Sequence, residues 1–333
     1  MLRVSYDELS GALRRAIEKT GMPPERADRC ARLFADTTLD GVTTHGIARF
    51  PRFMRMIGNG SIDVLATPER VEAFGAIERW DGRRGAGNLN AHACMEAALD
   101  LARAHGIGCV ALANTNHWMR GGTYGWQAAD AGAIGICWTN TMPNLPPWGA
   151  SDPRVGNNPI VLAVPRPPAH IVLDMAVSQF SMGALESYRK RGEPLPVAGG
   201  FDATGELTRD AAAIEATRRL LPIGFWKGSG LALMLDLIAA LLSRGQATHQ
   251  IRPDPERETD LSQVFIAFGP AAAGGTAAID ALVNDAIQHL HGSEVSPDGQ
   301  VRYPGERTFA MRQKNSRDGI PVDEDLWRQL QEF

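Results

Sequence analysis

The stretch "AIGICWTNTMPNLPPWGASDPRVGNNPIVLAVPRPPAHIVLDMAV" (133–177) decides the fold class. Three short apolar, β-branched runs stand in it: AIGICWTN (133–140), NPIVLAVP (158–165) and HIVLDMAV (170–177). Each reads as a strand, and no convincing helical pattern separates them. A further run, IGCVALAN (107–114), precedes them by one short helical segment. So many strands with so little helix between them suit a largely antiparallel or mixed sheet better than strict βαβ alternation.

Working outward, the N-terminal side is helical. Ser5 and Glu8 form an S-x-x-E capping box, with Val4 and Leu9 placed for a hydrophobic staple. Leu9, Leu13 and Ile17 then recur at helical spacing until Gly21. PPERADRCARLFADTTLDG (23–41) is a second helix, opened by prolines and closed before Gly41. NAHACMEAALDLARAHG (90–106) is a third, closed by Gly106. Residues 185–225 are polar and loop-rich. GSGLALMLDLIAALLSRG (228–245) is apolar on nearly every face, and its apolar run of about a dozen residues is short for a membrane span. It is expected to be a buried helix. A strand (LSQVFIAFG, 261–269), a helix (AAIDALVNDAIQHLH, 277–291) and a terminal amphipathic helix (VDEDLWRQLQEF, 322–333) complete the chain.

Length and composition bound the function. At 333 residues the chain exceeds one comfortable core. A net charge of −4 argues against a nucleic-acid or anionic-membrane surface. The start carries charges throughout and no apolar leader, so a cytoplasmic enzyme is expected. Cys30, Cys94, Cys109 and Cys137 lack C-x-x-C spacing and read as small buried hydrophobes in a reducing compartment. No metal constellation stands out.

Several clusters carry chemistry. TTHGIARFPRF (43–53) sets His45 beside Arg49 and Arg52. A ketone reduced by hydride needs a proton on its oxygen, which histidine supplies near neutral pH. A substrate carboxylate needs a forked donor, which arginine supplies. On a helical continuation Arg49 lies one turn from His45. The same spacing also fits a helix end with solvated arginines. ANTNHWMRGGTYGWQAA (113–129) packs Asn114, Asn116, His117 and Arg120 at a strand's end, where α/β proteins bind ligands, or forms a plain connection. GAGNLN (85–90) has Asn90 in place of the third glycine of a dinucleotide fingerprint and follows a poor buried strand. That excludes a Rossmann unit. FWKGSG (225–230) has the wrong order for a P-loop, yet offers Lys227 and backbone N–H groups to a phosphate. Asp174, closing a strand, accepts ribose hydroxyls or caps a turn.

Taken together, these pieces with GNNP (156–159), PPWGA (146–150) and YPGER (303–307) resemble the malate/L-lactate dehydrogenase family, which is distinct from the Rossmann-type enzymes. The resemblance covers nearly the whole chain. His117-Trp118-Met119-Arg120 is similar to the branch acting on diketo sugar acids, although Pro143 and Asn144 depart from that branch's more apolar loop. The resemblance implies a mixed α/β fold. Its non-Rossmann NAD(P)-binding domain has a largely antiparallel sheet (76–300, with a helical insertion around 180–230). Helical and substrate-side lobes (1–75, joined by 300–333) carry the histidine. It implies an NAD(P)-dependent oxidoreductase acting on CH–OH groups, a homodimer that takes a small keto acid, with NADH favoured over NADPH. His45 is then the proton donor, with Arg49 and His117 beside it in the active site. Arg49, Arg52, His117, Arg120, Thr139 and Asn158 are the substrate-side candidates. The cofactor segments are His170, Ile171, Val172, Leu173, Asp174, Met175 and Ala176, with Trp226, Lys227, Gly305, Glu306 and Arg307. Malate, lactate, ureidoglycolate or a cyclic imino acid are the alternative substrates, and a ligand-binding protein without turnover is the remote one.

Overall fold

A computed structural model describes residues 2–297 and 299–333. Strand β1 (Leu2–Val4) leads into helices α1 (Tyr6–Glu18), α2 (Pro24–Leu39) and α3 (Phe50–Gly58), with two 3₁₀ turns, Thr43–His45 and Ile47–Arg49, between the last two. The expected capping box forms: Ser5 Oγ accepts from the N–H of Glu8, while the Glu8 carboxylate accepts from the N–H of Ser5 at 2.7 Å. Then come β2 (Glu69–Phe74), β3 (Ile77–Asp81), α4 (Gly87–His105), β4 (Ile107–Thr115), α5 (Gly122–Asp130), β5 (Ile134–Thr139), β6 (Ile160–Val164) and β7 (Ile171–Met175). The loop-rich part holds α6 (Met182–Arg191), a small hairpin of β8 (Gly200–Phe201) and β9 (Leu207–Thr208), and α7 (Ala211–Thr217). The chain ends with α8 (Trp226–Ser243), β10 (Leu261–Phe268), α9 (Thr276–His291), α10 (Glu306–Asp318), β11 (Ile320–Val322) and α11 (Glu324–Glu332).

The main sheet has seven strands in the order β2-β3-β4-β10-β5-β6-β7. Every pairing in it is antiparallel except β3 with β4, which α4 links as a crossover. No helix lies between β5 and β6 or between β6 and β7 to carry a parallel crossover, so antiparallel pairing is the natural outcome. The strand β3 is the surprise, because AIERWD buries a glutamate. Glu78 is tolerated because Arg70 Nη1 donates to it at 2.9 Å and Trp80 Nε1 at 2.8 Å. At the other end of the chain, β1 pairs with β11, so Val4, Ile320, Val322 and Leu330 join the core of α1 and α2.

Helix α8 departs from the expectation of a fully buried helix. Its inward face carries Gly228, Ala232, Leu235, Asp236, Ala239 and Ser243, mostly small residues that allow close packing on β10. Its large side chains point outward: Leu233, Met234, Leu237, Ile238, Leu241 and Leu242 are all exposed. By length and a mean hydropathy of 1.3 it matches a membrane span. The buried Asp236 identifies it as a core helix instead. That carboxylate accepts from Asn140 Nδ2 at 2.9 Å and from the N–H of Thr248 at 2.8 Å.

Candidate active site

Two close backbone contacts build the cleft. Gly46 sits so near the end of α2 that a Cβ there would fall 2.3 Å from Thr38 Oγ1, while that hydroxyl accepts from the N–H of Ile47 at 3.0 Å. His45 is thereby fixed on its 3₁₀ turn. Gly87, from the rejected glycine-rich motif, has a packing role of the same kind. A Cβ there would meet Asn116 O at 2.3 Å and His117 O at 2.4 Å. Asn116 Nδ2 completes the seam by donating to Arg84 O and Gly85 O, both at 2.9 Å. The chain then turns through Met119, a non-glycine residue at φ +65°. This turn directs the N–H of Met119 to His117 Nδ1 at 3.0 Å. Nδ1 therefore accepts, and the neutral ring carries its proton on Nε2.

The two histidines meet across the cleft. Their rings stack with centroids 6.0 Å apart and planes 18° from parallel. Thr44 Oγ1 lies 3.1 Å from His45 Nδ1 and orients that ring in turn. Burial, reinforced by Arg49 and Arg120, pushes His45 down to about 4. Burial also holds His117 well below its ordinary value, with Arg49, His45 and Arg52 adding to the effect. Both rings are thus neutral near pH 7 in the free protein.

The arginines divide by partner. Arg52 Nε contacts Glu256 at 3.2 Å, a carboxylate shared with Arg55 at 2.9 Å. Arg120 is buried and donates to the buried Asp40, whose oxygens also take Arg312 at 2.6 and 2.9 Å. Arg312 in turn stacks on Trp126, 4.3 Å from its ring centroid. Arg49 is the least matched: its nearest carboxylate, Glu258, is 3.8 Å away, and burial pushes the guanidinium down to about 10. A largely buried guanidinium with so distant a counter-ion can receive an anion.

Asp174 closes β7 and faces the same cleft. Its Oδ2 accepts from the N–H of Gly122, the first residue of α5, at 2.8 Å. Although its side chain is exposed to the cleft, desolvation by the protein packed around it raises this carboxyl, against the pull of Arg120 and of that N–H. The other cofactor candidates gather along β7, which pairs only with β6 in the sheet. At one end Pro304 O accepts from the N–H of Val172 at 2.9 Å, and Gly305, at φ +96°, lies against His170 O. Glu306 and Arg307 open α10 there. At the other end the N–H of Ile223 donates to Val177 O at 2.9 Å, placing Trp226 and Lys227, both exposed, beside the strand's exit. A cavity of about 320 Å³ opens at the His170 end, between Pro168, Ala129 and Ile279.

Three candidates are occupied elsewhere. Asn158 is fully buried, its Oδ1 accepting from the N–H of Thr141 at 3.0 Å and its Nδ2 donating to Ala232 O at 2.8 Å. Thr139 donates to Asn140 O at 2.8 Å. The His170 ring accepts from the N–H of Arg166 at 2.9 Å and meets Asp130 at 2.9 Å, so only its main chain faces the Gly305 turn. Sequence reasoning missed Asp40, Glu258 and Arg312, which share no local motif with the residues they hold. It also missed Thr44, although that residue stands beside His45.

The chain is similar to known proteins over nearly its whole length. A family model described as malate/L-lactate dehydrogenase matches residues 4–331. The chain is 45% identical over 331 residues to a 2,3-diketo-L-gulonate reductase of Salmonella newport, covering 99% of each. Among solved structures, a sulfolactate dehydrogenase from Methanocaldococcus jannaschii superposes with a TM-score of 0.91 at 29% identity, over 99% of this chain and 96% of that one. A delta1-piperideine-2-carboxylate reductase from Pseudomonas syringae pvar. tomato gives 0.89 at 30% identity, over 100% and 99%. The chain belongs to the malate/L-lactate dehydrogenase family. It is accordingly an oxidoreductase of the hydroxy-acid and keto-acid class.

Proposed function

We propose that the chain is an NAD(P)H-dependent reductase of a keto sugar acid, converting 2,3-diketo-L-gulonate to 3-dehydro-L-gulonate. The observation that carries this reading is the neutral histidine pair beside the under-matched Arg49. Arg49 takes the substrate carboxylate, because Arg52 and Arg120 already face closer acidic partners. His45, which takes up a proton when the substrate carboxylate enters beside it, delivers that proton to the carbonyl oxygen and returns to the neutral ring, and His117, donating from Nε2, orients the neighbouring oxygen. A bound reduced nicotinamide supplies the hydride. The chain's residues fit that group: Arg120 Nε is a buried donor without a partner, and Gly122 leaves the approach to Asp174 clear of any side chain. Residues 170–176 would hold the dinucleotide through the edge of β7, with Lys227 and the Gly305–Arg307 turn at its two ends. NADH is favoured over NADPH.

The 45% identity to enzymes named for 2,3-diketo-L-gulonate supports this substrate over malate, lactate, ureidoglycolate or a cyclic imino acid. A cytoplasmic homodimer is part of the proposal. Leu233, Leu237 and Leu241 recur every four residues on α8, giving an apolar stripe that a second copy would cover. Steady-state oxidation of NADH and NADPH against a panel of these acids tests the reading. Diketogulonate should give the highest kcat/KM, and a preference of tenfold or more for another acid would overturn the substrate. His45→Ala should lower turnover by roughly 10²–10⁴-fold while NADH binding is kept.

A further inference from the structure

Arg120 ends in an arrangement that a charge clamp alone does not explain. Asp40 holds its Nη1, and Arg312, bidentate on the same carboxylate, fixes Asp40. Its Nε, in contrast, is buried and has no acceptor among the described residues, while the side chain as a whole is only 5% exposed. A donor stripped of water and left unpaired is costly unless a ligand supplies the acceptor. The direction it faces is given by Gly122. A Cβ added there would fall 3.2 Å from Arg120 Nε and 2.8 Å from Asp174 Oδ2. One buried donor and one carboxylate acceptor therefore border the same point in the cleft, where this glycine keeps any side chain away.

We infer that Arg120 and Asp174 together read a planar carboxamide, that of the nicotinamide, with Asp40 and Arg312 as positioning residues for Arg120. The inference deepens the proposed cofactor reading and rests on it. A carboxamide offers one acceptor oxygen and one N–H₂ donor side by side, complementary to the Arg120 Nε–H and the Asp174 carboxylate. The keto acid's own carboxylate is excluded from this position by Asp174, and Arg49 receives it on the histidine side. Since the N–H of Gly122 holds Oδ2, Oδ1 of Asp174 is the atom left to accept from the amide. The pair fixes which edge of the ring lies against β7, and so which face is turned to the histidines.

The test is equilibrium binding, read by quenching of protein fluorescence, of NAD and of nicotinic acid adenine dinucleotide, in which a carboxylate replaces the carboxamide. Wild type should prefer NAD by about 10- to 100-fold, because the carboxylate loses a hydrogen bond and meets Asp174 as a like charge. In Asp174→Asn the side-chain oxygen keeps the N–H of Gly122, and the new N–H₂ faces the ligand. The preference should then fall by about tenfold or more, or reverse. A ratio unchanged from wild type, with binding of both dinucleotides retained or weakened equally, overturns the carboxamide assignment alone. Failure of wild type to bind either dinucleotide overturns the cofactor reading and this inference with it. Gly122→Ala serves as the second variant, a substitution the first turn of a helix accepts. Its Cβ presses on Asp174, so this variant should bind NAD about tenfold or more weakly while still unfolding cooperatively, and wild-type affinity in that variant would refute the inference.

Discussion

Binding of oxamate, whose amide carbonyl does not accept hydride, should be accompanied by uptake of a proton on His45. In the free protein burial, Arg49 and Arg120 hold this ring at about 4, so at pH 7 only about one ring in a thousand is charged. A carboxylate seated on Arg49, if it lay about 6 Å from the ring, would contribute about 3 kcal/mol to the protonated form at an effective dielectric near 20. That is about two pK units, which brings the ring to about 6. The sign follows from linkage, since the ligand binds the protonated form better. Its apparent Kd therefore rises about tenfold per pH unit between pH 4 and 6, and levels above that. At pH 5 the complex is about nine-tenths protonated and the free protein about one-tenth, so binding takes up about 0.8 proton. Calorimetry with saturating NADH, in two buffers of different ionisation enthalpy, measures that number directly. His45→Asn should abolish both the uptake and the slope, which separates His45 from Asp174 and Glu258. A Kd that changes less than twofold between pH 5 and 7, with no proton uptake, would refute the reasoning.

The same depressed ring costs stability in acid. Unfolded histidine protonates near 6.5 while folded His45 waits until about 4, so stability is lost as pH falls through that window, by up to about 3 kcal/mol. Urea midpoints at pH 7 and 5 should show it, and His45→Asn should narrow the difference. Arg49→Gln should raise the KM for the keto acid about 10- to 100-fold with the NADH Kd little changed, whereas Arg52→Gln, half-buried and paired with Glu256, should move KM less than threefold. Leu237→Glu combined with Leu241→Glu on the exposed face of α8 should shift sedimentation from dimer to monomer without unfolding the chain. Asn158→Ala should destabilise the fold by about 1–3 kcal/mol in a denaturant titration, because Thr141 and Ala232 lose their partner, while KM stays near wild type.

What was legible in the sequence was whatever neighbours in the chain express. The capping box at Ser5 and Glu8, the three strands of 133–177 and the exclusion of a Rossmann unit all follow from spacing over a few residues. Strand β3 escaped because its buried Glu78 is satisfied by Arg70 on the neighbouring strand, a cross-strand fact with no local trace. Helix α8 misled because composition gives how apolar a helix is but not which size of side chain faces in; there the small residues do. The site divides along the same line. His45 with Arg49, and His117 with Arg120, are visible as pairs. The division of labour among the arginines is invisible, because it is set by the carboxylates opposite them. Asp40 lies 80 positions from Arg120 and 272 from Arg312, yet it is the carboxylate that holds both guanidiniums. Arg49 is proposed to take the substrate anion because Glu258 stands 3.8 Å off, so the choice of clamp is read from distances between remote elements rather than from the H-x-x-x-R spacing itself.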